Sequence, residues 1–150
     1  MDRRELLGVL GVGAFGIAAT GGTARADREG HEHDEHVAML GRCAKVCNEA
    51  ARHCLGELKK GGEHQDHHAK AHEATMDCQA FCTLAAALTA RSSRMSKYAY
   101  AACADACRDC AAACEGQQAE IMQACLKACR ECEQMCRQLM KEGDRASGDR

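Results

Sequence analysis

Residues 103–136 read CADACRDCAAACEGQQAEIMQACLKACRECEQMC. The pattern Cys-x3-Cys-x2-Cys-x3-Cys occurs in it twice, at Cys103, Cys107, Cys110 and Cys114 and again at Cys125, Cys129, Cys132 and Cys136. Steps of three and four return a side chain to one face of an α-helix, so each half of the stretch presents a single stripe of sulfur. Gly116 separates the halves. The spacing predicts one helix from Ser92 or Ser93, both good N-cap residues, to about Glu115. It predicts another from Gln117 or Gln118 to Glu142, ended by Gly143.

The same period extends toward the N-terminus. Cys43, Cys47, Cys54, Cys78 and Cys82 bring the total to thirteen cysteines in 150 residues. From His36 to about Lys59 the positions Met39, Leu40, Cys43, Cys47, Ala50, Ala51, Cys54 and Leu58 recur at three and four. This is an amphipathic helix that Lys60-Gly61-Gly62 should terminate, because glycine accepts the left-handed conformation of a C-terminal cap. A second helix, from Glu63 or Gln65 to Ala90, carries His68, His72, Met76, Cys78, Cys82, Ala85 and Leu88 on or near its inner side.

Four helices of comparable length with short connections predict an all-α fold, an antiparallel four-helix bundle with a Cys-lined core. Helices of about 24 residues make it on the order of 36 Å long. Composition agrees: with no proline, no tryptophan, two Phe and two Tyr, the interior must be filled by Ala, Leu, Met and Cys. Such residues suit closely packed helices and argue against a sheet.

The N-terminus has another character. Arg3-Arg4, a short Gly/Ala-rich apolar run and Ala24-Arg25-Ala26 read as a twin-arginine export signal, residues 1–26, with cleavage expected near Ala26 and a plain secretory signal as the alternative. It is too short and Gly-rich for a membrane span, so no stable membrane association is expected after cleavage. Export places the mature chain in the periplasm. Residues 27–35 bear His31 and His33 without apolar period and read as a flexible arm; residues 36–142 form the bundle domain, and residues 143–150 a polar tail. The chain carries a formal charge of −2. A near-neutral balance without a basic block argues against a nucleic-acid partner.

Thiols at this spacing imply a metal. Residues i and i+4 of a helix have Cβ atoms about 5–6 Å apart, and two metal–sulfur bonds need sulfurs at most roughly 4.6 Å apart, which χ1 rotation allows. Cys43/Cys47, Cys78/Cys82, Cys103/Cys107, Cys110/Cys114, Cys125/Cys129 and Cys132/Cys136 are therefore two-thiolate clamps, with Cys54 outside them. Cu(I) accepts two or three thiolates, so several ions per chain suit such a row, whereas zinc prefers four ligands. His36, Met39, Met95 and Met140 would gather at one end of the bundle and His68, His72, Met76 and Met122 at the other, as weaker ligands at a mouth. For Met39, Met76 and Met122 the plainer reading is core filler, and for His64, His67, His68 and His72 a solvated face.

Two other functions compete. A disulfide-stabilised helical interaction protein would suit an oxidising compartment, but an odd count and i, i+4 pairing on an inner stripe fit it poorly. A zinc-buffering version of the same bundle stays open. The C-x2-C-x2-C run of bacterial ferredoxins is absent, as are a Glu-x-x-His di-iron motif and a Cys beside a Gly-rich elbow, so no enzymatic constellation is visible.

With its twin-arginine leader, thirteen thiols and repeated Cys-x3-Cys on four helices, the chain resembles the exported bacterial copper storage proteins over roughly residues 36–142. The resemblance implies a homotetramer whose protomers each hold many Cu(I) ions, and transport by the twin-arginine translocation machinery. It implies ligation by all thirteen cysteines, with His and Met residues at the mouth. His31, His33, His36 and the cluster His64 to His72 depart from the family pattern.

Overall fold

The computed structural model describes residues 23–148, which form four helices: α1 (Thr23–Lys60), α2 (Gln65–Ala90), α3 (Ser96–Cys114) and α4 (Glu120–Gly148). No strand occurs among the described residues. α1 packs on α2 and α4, and α3 packs on the same two helices, so the four stand as the corners of a square. Cys43 of α1 lies with Cys82 of α2 and Cys132 of α4, and the later Cys47 lies with the earlier Cys78 and Cys129. Rising numbers on one helix thus meet falling numbers on its neighbours, which makes the bundle antiparallel.

Small side chains let the helices approach. The buried interior is built from the cysteines, from Ala44, Ala50, Ala71, Ala85, Ala99, Ala104 and Ala111, and from only a few larger residues such as Leu40, Leu88, Met122 and Met135. On α2 the inward stripe runs Ala71, Thr75, Cys78, Cys82, Ala85, Thr89, all buried. Both threonines satisfy their hydroxyls within the helix, Thr75 Oγ1 donating to the Ala71 carbonyl and Thr89 Oγ1 to the Ala85 carbonyl, each at 2.7 Å. A buried hydroxyl without such a partner would be costly.

Gly61 and Gly116 end α1 and α3 as expected, with φ of 74° and 78° that an L side chain rarely adopts. The α2–α3 connection differs. Ser92 is not the N-cap of α3 but the left-handed closing residue of α2, at φ 50°. Its N–H donates to the Thr89 carbonyl (2.7 Å) and that of Ser93 to the Leu88 carbonyl (3.0 Å), the two bonds of a Schellman motif. Ser93 Oγ then accepts from the Met95 N–H at 3.2 Å, and α3 begins at Ser96.

The helices also run further than the apolar pattern. Residues 27–35, expected as a flexible arm, belong to α1, and residues 143–148 of the expected tail belong to α4. Extending a helix that packing has already nucleated needs only tolerable propensity, and neither segment contains proline. His31, Glu32, Asp34 and Glu35 are exposed, which is why that part of α1 shows no apolar period. Residues 1–22 of the expected export signal lie outside the described residues.

The left-handed Ser92 generates a prediction. Replacing it with glycine removes the Cβ penalty at that position, so Ser92→Gly should stabilise the reduced, metal-free protein by roughly 1 kcal/mol in urea unfolding. A lower midpoint for the variant would contradict the Schellman closure.

Candidate metal centre

All thirteen cysteines point inward. Cys43 is 1% exposed and the other twelve are at 0%, and every one is a free thiol. Within helices, the Cys78/Cys82 sulfurs lie 3.9 Å apart and the Cys125/Cys129 sulfurs 4.0 Å, inside the span a shared metal allows. Between helices the separations are as short or shorter: Cys78–Cys107 and Cys82–Cys103 at 3.5 Å, Cys47–Cys129 at 3.6 Å, Cys47–Cys125 and Cys110–Cys125 at 3.8 Å. Contacts also cross the square, Cys78–Cys129 at 3.7 Å and Cys82–Cys132 at 3.9 Å, so the sulfur fills the axis.

The thiols fall into four groups whose sulfurs lie mutually within 4.8 Å. Cys43, Cys82, Cys107 and Cys132 take one residue from each helix. Cys43, Cys47, Cys78 and Cys129 form the next group, Cys47, Cys110, Cys125 and Cys129 a third, and Cys103, Cys132 and Cys136 a fourth. Cys43, Cys47, Cys129 and Cys132 each belong to two groups, so neighbouring groups share sulfur. Cys54 and Cys114 stand outside. Cys54 instead lies 3.8 Å from the thioether of Met122, which is fully buried. Three of the helical clamps read from spacing, Cys43/Cys47, Cys125/Cys129 and Cys132/Cys136, are edges of larger clusters, whereas Cys78/Cys82 and Cys103/Cys107 are divided between clusters and Cys114 joins none.

The clusters are electrostatically uneven. Cys43 and Cys110 are held well below the ordinary thiol range, Cys43 by sulfur hydrogen bonds from Cys107 and then Cys129, and Cys110 by those from Cys114 and then Cys125. Their neighbours move the other way: Cys114 is raised by its hydrogen bond to Cys110, and Cys136 by that to Cys103. An ionised thiolate surrounded by S–H donors is stabilised, and each donor then resists losing its own proton. Cys54 has no such cluster, and burial pushes it up to about 11.

The accessory residues divide. Met122 faces the core beside Cys54, and Met39 packs against the core from the His36 end of α1, where His36 is half-buried. His72 is half-buried with its Nδ1–H donating to the Ala51 carbonyl at 3.0 Å, which leaves Nε2 as its ligand nitrogen. Met76 does not reach a mouth: it is 43% exposed on the outside of α2, as Met95 is exposed before α3. Two residues before Cys78, Met76 sits about 200° round the helix from the sulfur stripe. Met122, three residues before Cys125, falls on it.

The model of the copper storage protein family matches residues 29–141. The chain belongs to the copper storage protein family. Among solved structures, Cu(I)-bound copper storage protein BsCsp3 is similar at 30% sequence identity and a TM-score of 0.63, over 70% of this chain and 94% of that one. A search of curated protein sequences finds no significant match. Copper storage is a metal-binding role, with Cu(I) as cargo and several buried thiol clusters able to take it.

Cys54 tests the electrostatics of the empty core. Because its folded pKa lies above the 9.0 of a free thiol, its contribution to stability is full below pH 9 and is lost as pH rises toward 11. Over that window the reduced, metal-free protein should lose on the order of 2 kcal/mol more than Cys54→Ala does, by urea unfolding at each pH. Parallel curves for the two proteins would show that Cys54 is not desolvated.

Proposed function

We propose that the thirteen cysteines are the Cu(I) ligands and that each chain stores close to one copper per sulfur. The sharing of Cys43, Cys47, Cys129 and Cys132 between groups supports this reading most directly. A buried core tolerates little net charge. Each thiolate brings −1 and each Cu(I) +1, so equal numbers leave the core neutral, and equal numbers at two or three sulfurs per copper require sulfurs that bridge. Zinc at a four-thiolate site would leave a charge of −2. Among the described buried polar residues, Thr75, Thr89, Ser96 and Gln117, there is no cation to offset it. Without sharing, only two four-sulfur groups are disjoint: Cys43/Cys82/Cys107/Cys132 and Cys47/Cys110/Cys125/Cys129.

Met122 with Cys54 forms a weaker site at one end of the tube. Met39 and His36 do the same at the other, and His72 Nε2 is an accessory donor. The role is sequestration, with the thiols that take the cargo buried away from solvent. The Arg3-Arg4 leader supports export by the twin-arginine machinery to the periplasm, a route that carries folded cargo. Met76, Phe81 and Leu84, exposed on α2, support a homotetramer in which copies of the chain cover them.

Equilibrium dialysis of the reduced protein against Cu(I) should give roughly a dozen ions per chain. Cys47→Ser, which belongs to two groups, should lower that capacity by about two ions, and Cys54→Ser by no more than about one. A capacity of one or two ions would end the storage reading, and equal losses in both variants would end the sharing of sulfur.

For the leader, Arg3→Lys/Arg4→Lys should leave uncleaved precursor in the cytoplasm on cell fractionation. Mature protein of that variant in the periplasm would exclude the twin-arginine route.

A further inference from the structure

A second set of metal donors lies outside the sulfur tube. His53 and Glu57 stand four residues apart on α1, and His64 and His68 repeat that spacing at the start of α2. Such pairs share one helix face. Because α1 and α2 are packed neighbours, these four residues and His67 line one surface cleft of about 420 Å3. Gly116 to Ala119, in the connection between α3 and α4, forms the opposite side of that cleft.

The ring centroids are close enough for a shared ion once side-chain rotation turns the donor atoms toward it. The His53 and His68 centroids are 6.2 Å apart with planes at 75°, and those of His67 and His68 are 6.3 Å apart. A metal–nitrogen bond of about 2.1 Å sets an ion about 3.2 Å from the ring centroid, so two imidazoles on one ion have centroids about 5 to 6.4 Å apart. Independently, His68 Nδ1 is buried without a hydrogen-bond partner. A buried ring nitrogen left in that state calls for a reason, and a coordinated cation supplies one. Burial also lowers the pKa of His68, favouring the neutral imidazole that can ligate. Glu57 is held by Lys60 at 2.7 Å in an exposed i, i+3 pair, an interaction weak enough for a cation to displace.

We propose that this cleft binds a divalent first-row cation, Cu(II) foremost, through His53, His68 and Glu57, with His64 or His67 completing the site. Imidazole and carboxylate select such ions where the thiol core selects Cu(I), and Cu(II) stands highest among divalent ions for a given nitrogen and oxygen set. The site stands independently of the ligand assignment in the core. It gives the chain two copper environments of different softness, one internal and one open to solvent.

The test uses protein already saturated with Cu(I), so that no free thiol remains to reduce the added ion. Titration with Cu(II), followed by electron paramagnetic resonance, should reach one ion per chain with a single spectrum showing nitrogen hyperfine splitting. His53→Gln/His68→Gln should weaken Cu(II) binding at least about tenfold. His31→Gln/His33→Gln, on the exposed start of α1, should leave it unchanged. Cu(I) capacity measured on the same preparations reports separately on the fold and the core. Unaltered Cu(II) affinity in the His53/His68 variant, loss confined to the His31/His33 variant, or no nitrogen-coordinated Cu(II) at all would each overturn the site.

Discussion

Sulfur atoms from different helices meet 3.5 to 3.9 Å apart along the axis, and this requirement governs the rest of the bundle. Helices bring side chains that short to a common centre only if the residues around them are also small. Alanine accordingly accompanies cysteine at the inward positions, while large apolar side chains are few within the tube, Leu40, Leu88, Met122 and Met135 among them. A core built this way buries less hydrocarbon per residue than a leucine core, so apolar transfer stabilises it less. Metal that binds the folded chain and not the unfolded one adds to that stability by mass action. Cargo and fold are therefore energetically linked.

Charge decides which cargo suits the tube. In the metal-free protein sulfur contacts and burial push most of the thiols up, while sulfur hydrogen bonds hold Cys43 and Cys110 below the ordinary thiol range. Each incoming monovalent ion replaces a proton, so the interior can fill without accumulating charge. The helical backbone offers little help to an anionic cluster, since its N–H groups are committed along each helix except in the first turn. A divalent ion at four thiolates would thus need a counter-cation that the described buried residues do not include. The imidazole cleft at the surface has the opposite character, being solvated and supplied with neutral nitrogen donors and one carboxylate.

The sequence carried the inward direction of every cysteine, because the 3.6-residue period alone fixes which positions share a face. It also carried the ends of α1 and α3, where Gly61 and Gly116 take conformations that few other residues accept. The grouping of sulfurs was not legible. That Cys43 lies level with both Cys78 and Cys82 depends on the axial register between helices, which is set by loops and packing and leaves no local signal. Helix ends governed by exposed residues were equally hidden, as at residues 27–35, where α1 continues without an apolar period. Met76 was a different matter: its 200° offset from Cys78 was readable, and helical phase separates it from Met122. His53 escaped notice since the histidines that share its cleft lie at the start of α2.

Helical geometry also keeps thiols one turn apart on the same helix from pairing with each other. A disulfide brings its two Cβ atoms to about 3.5–4.5 Å, whereas i and i+4 positions of a regular helix hold them about 5–6 Å apart. Rotation about χ1 can still draw the sulfurs together to the 3.9 Å seen at Cys78/Cys82, the distance at which a metal can sit between them but a covalent bond cannot form. Closing that bond would require local unwinding of α2, which lies packed against both α1 and α3. Placing thiol pairs one turn apart on a rigid helix thus favours coordination over oxidation, and a loop carrying the same cysteines would lack that protection.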